Sequence, residues 1–219
     1  MSDTALLELT KMIRALEDNR SQCCCDGFIC EVNVLRTTYN TLRDILPQSF
    51  IPSYDELKGI VMLSWPFIEY GLVHGFIGTA VAVCFCMDEV SRKGASDELD
   101  VSLLCATNED ELLDIVIQRV SDNERNNGNI PCQWMHVLLW MCCLREDDTD
   151  ELLDWVDIIY AEFGYLKEIA PFVRYMPAKG RPKTPDELVK SLRNYLDMWK
   201  ADVSSQSQEY KKSTEEECI

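Results

Sequence analysis

The stretch Pro131–Arg145, "PCQWMHVLLWMCCLR", restricts the fold more than any other part of the chain. Drawn as an α-helix, it places apolar side chains in every direction, and its one charged residue is the last. A helix that has no polar face must be covered on all sides. The sequence therefore predicts that residues 131–145 form a helix through the centre of an α-helical protein.

Helical periodicity covers most of the remaining chain, and no window alternates apolar and polar residues as a β-strand does. Four helix starts carry a capping box, in which a small polar residue and a Glu three positions later bond each other's backbone N–H groups. These boxes are Ser53–Glu56, Asn108–Glu111, Asp148–Glu151 and Thr184–Glu187. We therefore predict an all-α fold, a single compact bundle or array of antiparallel helix pairs around the helix at 131–145.

The periodic segments and the turn residues between them predict the helix bounds and three regions of the chain. We expect a cysteine-rich helical hairpin over residues 1–50, packed on a main helical domain over 51–201, and a disordered acidic tail over 202–219. The predicted helices of the main domain, besides the central one, are Tyr54–Leu63, Pro66–His74, Thr79–Lys93, Asp97–Ala106, Glu109–Asp122, Thr149–Phe163, Leu166–Val173 and Pro185–Ala201.

The charge of the chain bears on its partners. The net charge is −17, and residues 96–162 hold 17 Asp and Glu against three Lys and Arg, a local balance of −14. Such a surface repels nucleic acid and attracts basic proteins. We therefore expect a basic protein partner and no nucleic-acid binding.

One uncharged stretch, Tyr70–Met87, is just long enough to span a membrane. Gly71, Gly75 and Gly78 interrupt it, however, and Thr79 is a suitable N-cap for a new helix, so we interpret it as a buried helix–turn–helix. The beginning of the sequence lacks the pattern of an export signal. We therefore expect a cytoplasmic protein whose 11 cysteines are reduced and that makes no membrane contact.

The sequence contains few residues with the spacing of a metal site. Thiolates from Cys25 and Cys30 or from Cys84 and Cys86 lack the further pair that would complete a zinc set. The two histidines, His74 and His136, lie in apolar segments, where hydrogen-bonded core positions are the usual role. We therefore predict no metal, no cofactor and no catalytic residue.

An enzymatic alternative rests on carboxylates at helical spacing: Glu111 with Asp114, and Glu151 with Asp154. All-α nucleotide pyrophosphohydrolases hold magnesium between helices with acids arranged in this general way. The competing interpretation is that both glutamates only cap their helices, where negative charge is favoured. A phosphate substrate also requires nearby cations, and this region has almost none.

The helix predicted at Thr149–Phe163 combines a stripe of apolar residues for the core with an outer arc of carboxylates. Ile158 falls within that arc and Trp155 lies at its border, a combination that is typical of a protein contact. Solvated surface is the other interpretation of such an arc. The residues predicted to bind a partner are Asp150, Glu151, Asp154, Trp155, Asp157, Ile158 and Glu162.

Two segments, "LSWPFIEYGLVHGFIG" from Leu63 and "IIYAEFGYLKEIAPFVRYMP" from Ile158, resemble a bacterial family known as domain of unknown function family twenty-two forty-seven. The resemblance covers roughly Ser53 to Trp199. It implies a small helical cytoplasmic protein, and some members accompany secreted toxins as their immunity proteins. The family offers no catalytic residues to transfer. A purely structural role for "FVRYMP" is the alternative, in which Arg174 pairs with an acid and the next residues close a helix end.

The resemblance and the acidity together favour a non-enzymatic immunity protein that binds and neutralises a cognate toxin domain, as in contact-dependent inhibition or other polymorphic toxin systems. Basic toxins such as nucleases bind phosphate backbones, so an acidic inhibitor gains affinity and association rate. The alternatives are the magnesium-dependent nucleotide pyrophosphohydrolase and an adaptor that has no toxin partner.

Overall fold

The part of the chain described by a computed structural model comprises residues 42–93, 98–121, 124, 129–176 and 183–216. These residues belong to a unit that runs from Leu42 to Ile219, and a second unit, Met1–Thr41, lies outside them. Most of the predicted cysteine-rich hairpin therefore lies outside the described residues. Leu42, Leu46 and Phe50, which the sequence assigned to that segment, are buried in the core of the unit that begins at Leu42.

Helices make up the described segments, and no β-strand occurs in them, so the prediction of an all-α fold is confirmed. The α-helices are α1 (Leu42–Ile45), α2 (Tyr54–Lys58), α3 (Trp65–Val73), α4 (Thr79–Lys93), α5 (Glu98–Cys105), α6 (Glu109–Arg119), α7 (Asn129–Arg145), α8 (Thr149–Glu162) and α9 (Pro185–Glu216). Short 3-10 helices form at Gln48–Phe50 and Ala170–Phe172.

The apolar helix α7 lies at the centre of this arrangement, as its sequence predicts. It packs on α3, α8, α9 and the 3-10 helix at Gln48–Phe50. Every side chain of residues 134–139 is buried. The burial ends at the last turn, where Leu144 is 60% exposed. The absence of a polar face therefore reflects packing partners around most of the helix, but not around its C-terminal end.

The uncharged stretch Tyr70–Met87 forms the expected helix–turn–helix, although Gly71 lies within α3 and does not interrupt it. Helix α3 ends at Val73, Gly75 has a φ of 69°, and α4 begins at Thr79. A left-handed conformation of this kind is readily available only to glycine. Among the helices within the described ranges, none has both the length and the apolar character that a bilayer-spanning helix needs.

Several predicted helix bounds differ from the structure by one to three residues, such as the end of α6 at Arg119 instead of Asp122, and three predictions differ more strongly. Helix α2 ends at Lys58 instead of Leu63, with Gly59 as its C-cap residue. The helix predicted over Leu166–Val173 is wrong, since that segment forms turns and one 3-10 turn that contains Pro171. Helix α9 continues to Glu216, past the predicted end at Ala201 and into the stretch expected to be disordered. That stretch contains no Gly or Pro to stop a helix.

Candidate partner-binding site

The N-terminus of α8 is fixed by its own sequence. The Asp148 side chain accepts hydrogen bonds from the backbone N–H groups of Asp150 and Glu151, each at 3.0 Å. Asp150 and Glu151 therefore occupy the first turn, where the helix dipole favours negative charge. Both side chains are exposed, so this end of the helix presents carboxylates to solvent.

The opposite face of α8 packs into the core. Leu152, Leu153, Val156 and Ile159 are at most 1% exposed, and Tyr160 is 2% exposed. Their spacing of three and four residues places them on one side of the helix, so the rotation of α8 about its axis is set by burial. The predicted core stripe is confirmed, and it directs the acidic residues outward.

Two of the predicted docking carboxylates are already bound within the chain. The guanidinium of Arg174 contacts Asp154 through Nη2, and it donates to Oδ2 of Asp157 through Nε at 3.2 Å and Nη2 at 3.0 Å. The side chains of Asp154 and Asp157 are 35% and 19% exposed. Arg174 therefore neutralises the middle of the outer arc, as the structural alternative for "FVRYMP" predicted.

Asp157 is the more constrained member of the pair. Burial raises the pKa of its carboxyl, and the hydrogen bonds from Arg174 oppose that rise. Its second oxygen, Oδ1, is buried and has no hydrogen-bond partner among the described residues. The charge of Asp157 therefore depends on Arg174 for compensation, and this carboxylate stabilises the fold and is not open to a partner.

The two apolar residues of the predicted face also have intramolecular contacts. The ring of Trp155 meets that of Phe50 edge-on, with centroids 5.4 Å apart. Ile158 is half-buried and packs against the core. Neither residue stands alone on an open acidic surface, and the exposed members of the predicted set are Asp150, Glu151 and Glu162.

The segment that carries Arg174 adds two residues that the helix pattern did not select. Tyr175 is 53% exposed and Met176 is 36% exposed. The Tyr175 ring lies 6.5 Å from the ring of Tyr160, which places this segment along α8. Exposed Tyr and Met side chains are common in protein interfaces. We name the exposed set Asp150, Glu151, Glu162, Tyr175 and Met176 the α8 surface.

The carboxylates of the enzymatic alternative belong to different parts of the fold. Helix α6, with Glu111 and Asp114, packs on α3, α4 and α5, whereas α8, with Glu151 and Asp154, packs on α7, α9 and α1. Within the described ranges, no group of three or more His, Cys, Asp and Glu side chains is placed to hold a metal ion. Glu111 instead accepts the backbone N–H of Thr107 at 2.9 Å, and this bond lowers its pKa.

The contact between Cys132 and His136 has the wrong hydrogen bonding for nucleophilic catalysis. Nδ1 of His136 lies 2.7 Å from the carbonyl oxygen of Cys132, and Nε2 lies 2.8 Å from the hydroxyl of Tyr195. The carbonyl requires a proton on Nδ1, so Nε2 accepts from Tyr195, and neither nitrogen is left to take a proton from the thiol. Burial raises the pKa of Cys132 and lowers that of His136.

Two adjoining clefts lie where α9 meets α7 and α8. One has a volume of about 320 Å³ and is lined on its polar side by Asp147, Thr149, Asp186, Lys190, Arg193 and Asn194. The other, of about 170 Å³, lies beside Trp140, Cys143 and Leu144 and shares Arg193. The carboxylates and cations around these clefts are mixed, so their charge selects neither an anion nor a cation.

Residues 54–200 match a bacterial protein family described as "Uncharacterized protein conserved in bacteria (DUF2247)". The chain belongs to this family. The match runs from the start of α2 into α9, so it includes α8, Arg174 and the central helix, and the resemblance noted from the sequence is confirmed for the family itself. No curated protein and no solved structure matched the chain.

The DUF2247 region lies within the unit that begins at Leu42. Arg174, near the end of the second family-like segment, bonds to Asp154 and Asp157 of α8, which lie 20 and 17 residues earlier. The family description gives no activity, so the function has to be argued from the surface of this chain.

Proposed function

We propose that this protein is a non-enzymatic binding protein, an immunity protein that binds and neutralises a cognate toxin domain of basic charge, such as a nuclease. Charge is the observation that carries the proposal. The net charge of −17 is concentrated in residues 96–162, and α8 directs part of it outward. A basic partner gains both affinity and association rate from such a surface.

The α8 surface supplies the short-range contacts in this proposal. Asp150, Glu151 and Glu162 provide exposed charge, and Tyr175 and Met176 provide exposed apolar area. An interface needs both, because an apolar centre gives most of the affinity and the polar rim gives orientation and specificity. Arg174 contributes indirectly, since its bonds to Asp154 and Asp157 hold the segment that presents Tyr175.

The metal-dependent alternative has less support. Its four carboxylates are divided between α6 and α8, and Glu111 is engaged with the N–H and hydroxyl of Thr107. Two-metal and one-metal phosphate hydrolysis both require several carboxylates that converge on one ion. A stoichiometric binding role needs no such convergence.

The experiment is a binding and protection assay with the proposed toxin domain, a basic domain to be sought among the products of the neighbouring genes. Asp150→Lys with Glu151→Lys places repulsion where attraction is proposed, and we expect binding to weaken about a hundredfold. The matched control is Asp55→Lys with Asp202→Lys, which changes the net charge equally at exposed sites on α2 and α9. Equal weakening by both double variants would show that only the long-range field matters. No weakening by the first would remove α8 from the interface.

A further inference from the structure

The outer face of α5 is apolar although it is exposed. Val101 is 54% exposed, Leu104 is 42% exposed, and Cys105 is the exposed cysteine among those described. The spacing of three and four residues places these three side chains on one side of the helix, and we name them the α5 face. The other side is occupied, because Asp100 and Leu103 are buried against the rest of the fold.

This pattern differs from that of an ordinary surface helix. An amphipathic helix buries its apolar side and exposes its polar side, but α5 exposes apolar residues at three of its four exposed positions, with Glu98 as the fourth. Scattered single apolar residues on a surface are common, whereas neighbouring ones surrounded by polar groups mark contact sites. The α5 face is a group of this second kind.

The exposed charges of α5 and of α6, which packs against it, have one sign. Residues 98–119 contain five exposed carboxylates and one basic residue, Arg119. The guanidinium of Arg119 bonds to buried Asp100 and lies over the ring of Trp65, so its charge is directed inward. The five carboxylates are Glu98, Glu109, Asp110, Glu111 and Asp114.

We propose that the α5 face is a second docking site, and that it binds a basic protein segment that presents apolar side chains. The apolar side chains of such a segment would cover Val101 and Leu104, and its Lys or Arg residues would meet the carboxylates that begin α6. The identification of that segment as part of the toxin rests on the proposed function, whereas its chemistry follows from the α5 face alone.

A second copy of this chain fits the same face poorly. It would bring the same carboxylates and a net charge of −17 against an identical surface, and like charges that face each other oppose association. A basic partner removes this repulsion and gains from the same charges. The sign of the surrounding charge therefore distinguishes between two occupants that the apolar residues alone would accept.

Cys105 provides a direct probe of this site. Its alkylation rate in the full chain, followed at the peptide level by mass spectrometry, reports whether the α5 face is covered. The probe ligand is a synthetic amphipathic helix of Leu and Lys, and the control is the same helix with Glu in place of Lys. We expect the Lys peptide at saturation to slow alkylation of Cys105 about tenfold or more, and the Glu peptide to leave it unchanged.

Variants assign the effect to the α5 face. Val101→Asp with Leu104→Asp should weaken binding of the Lys peptide about tenfold or more, because carboxylates replace the apolar contact. Met198→Asp is the matched control, since Met198 is 70% exposed and lies on α9. It should change the affinity by less than about twofold.

Several results would overturn the inference. Equal protection by both peptides would remove the charge argument, and no protection by the Lys peptide would remove the site. Alkylation of Cys105 in the free chain as slow as that of buried Cys142 would show that the chain already covers this face. A concentration-dependent dimer in sedimentation that Leu104→Asp abolishes would assign the face to a second copy.

The same reagents separate this inference from the proposed function. Neutralisation of the toxin domain while Cys105 stays reactive would retain the immunity function and refute the identification of the basic segment as part of the toxin. If the Lys peptide protects Cys105 but the chain does not neutralise the toxin domain, the α5 site is retained and the immunity function is refuted.

Discussion

Replacement of Gly71 by alanine tests the helix crossing at the centre of the fold. A Cβ atom at residue 71 would lie 2.3 Å from Cζ2 and 2.9 Å from Cη2 of Trp134. The indole cannot easily move, because it is fully buried, stacks on Phe67 at 4.3 Å and donates from Nε1 to the carbonyl oxygen of Phe67 at 2.9 Å. The alanine therefore overpacks a filled site.

The expected loss of stability is the cost of overpacking minus the gain in helix propensity. Overpacking of a core costs about 1–3 kcal/mol, and the better helix propensity of alanine returns about 0.5–1 kcal/mol. We expect the free energy of unfolding to fall by about 1–2 kcal/mol, which corresponds to a decrease in Tm of about 2–8 °C for a chain of this size.

Urea unfolding followed by circular dichroism and by tryptophan fluorescence measures this change. Gly78→Ala is the matched control, since nothing lies within 4 Å of the added Cβ, and its effect should stay within about 1 kcal/mol. If Gly71→Ala is as stable as the wild type, α3 and Trp134 do not meet as described, and the account of the core is refuted.

Three further predictions concern charged and titrating groups. Hydrogen bonds from Ser53, and after them one from Arg145, lower the pKa of Glu56 from 4.5 to about 2. The ionised carboxylate therefore stabilises the folded state above the unfolded pKa, and this stabilisation is lost as the pH falls through the folded pKa. Glu56→Gln should therefore cost about 1 kcal/mol at neutral pH, a figure reduced for solvent exposure, and should flatten the acid limb of a pH–stability curve. Burial lowers the pKa of His136, so stability should decrease as the pH falls below about 6.5, and His136→Gln should reduce that slope in urea titrations at several pH values. Arg174→Gln leaves Asp157 without its cation and should lower the free energy of unfolding by about 1–2 kcal/mol in the same assay, whereas an unchanged value would show that the pair is not needed.

The sequence predicted the elements whose signals are local. Helix α4 begins at Thr79 and ends at Lys93 as expected, because Gly78 and Thr79 mark its start and apolar periodicity runs through it. The Ser53 and Thr184 boxes form completely, with hydrogen bonds in both directions. The Asn108 side chain accepts the expected N–H of Glu111, but the Glu111 side chain accepts from Thr107 instead of from the backbone of Asn108. The Asp148 side chain accepts the N–H groups of both Asp150 and Glu151.

The part of the candidate site that sequence reasoning missed depends on contacts distant along the chain. A helical wheel places Asp154, Asp157 and Ile158 on the outer arc, but it carries no information on which segment returns to cover that arc. Arg174 returns from 17 residues beyond Asp157, and Phe50 meets Trp155 from about a hundred residues before it. The sequence likewise did not predict that Val101 and Leu104 are exposed, since apolar residues in a helix are expected to be buried.

These contacts also determine which charge variants are informative. Asp154→Lys or Asp157→Lys would break the bonds to Arg174, so a loss of binding would be confounded with a loss of stability. Asp150 and Glu151 carry charge at exposed positions in the first turn of the same helix. Their reversal changes the surface and leaves the Arg174 pairs in place.

The most direct test of the central claim is a stoichiometric titration of the full chain into an activity assay of the purified toxin domain that is proposed as its partner. A binding protein inhibits by occupying its partner, so we expect activity to fall linearly and to reach zero at one chain per toxin domain. At high salt the endpoint should persist while the association rate drops, because screening weakens electrostatic steering. Loss of activity at strongly substoichiometric amounts would indicate catalysis, and full activity at every ratio would contradict the proposed function.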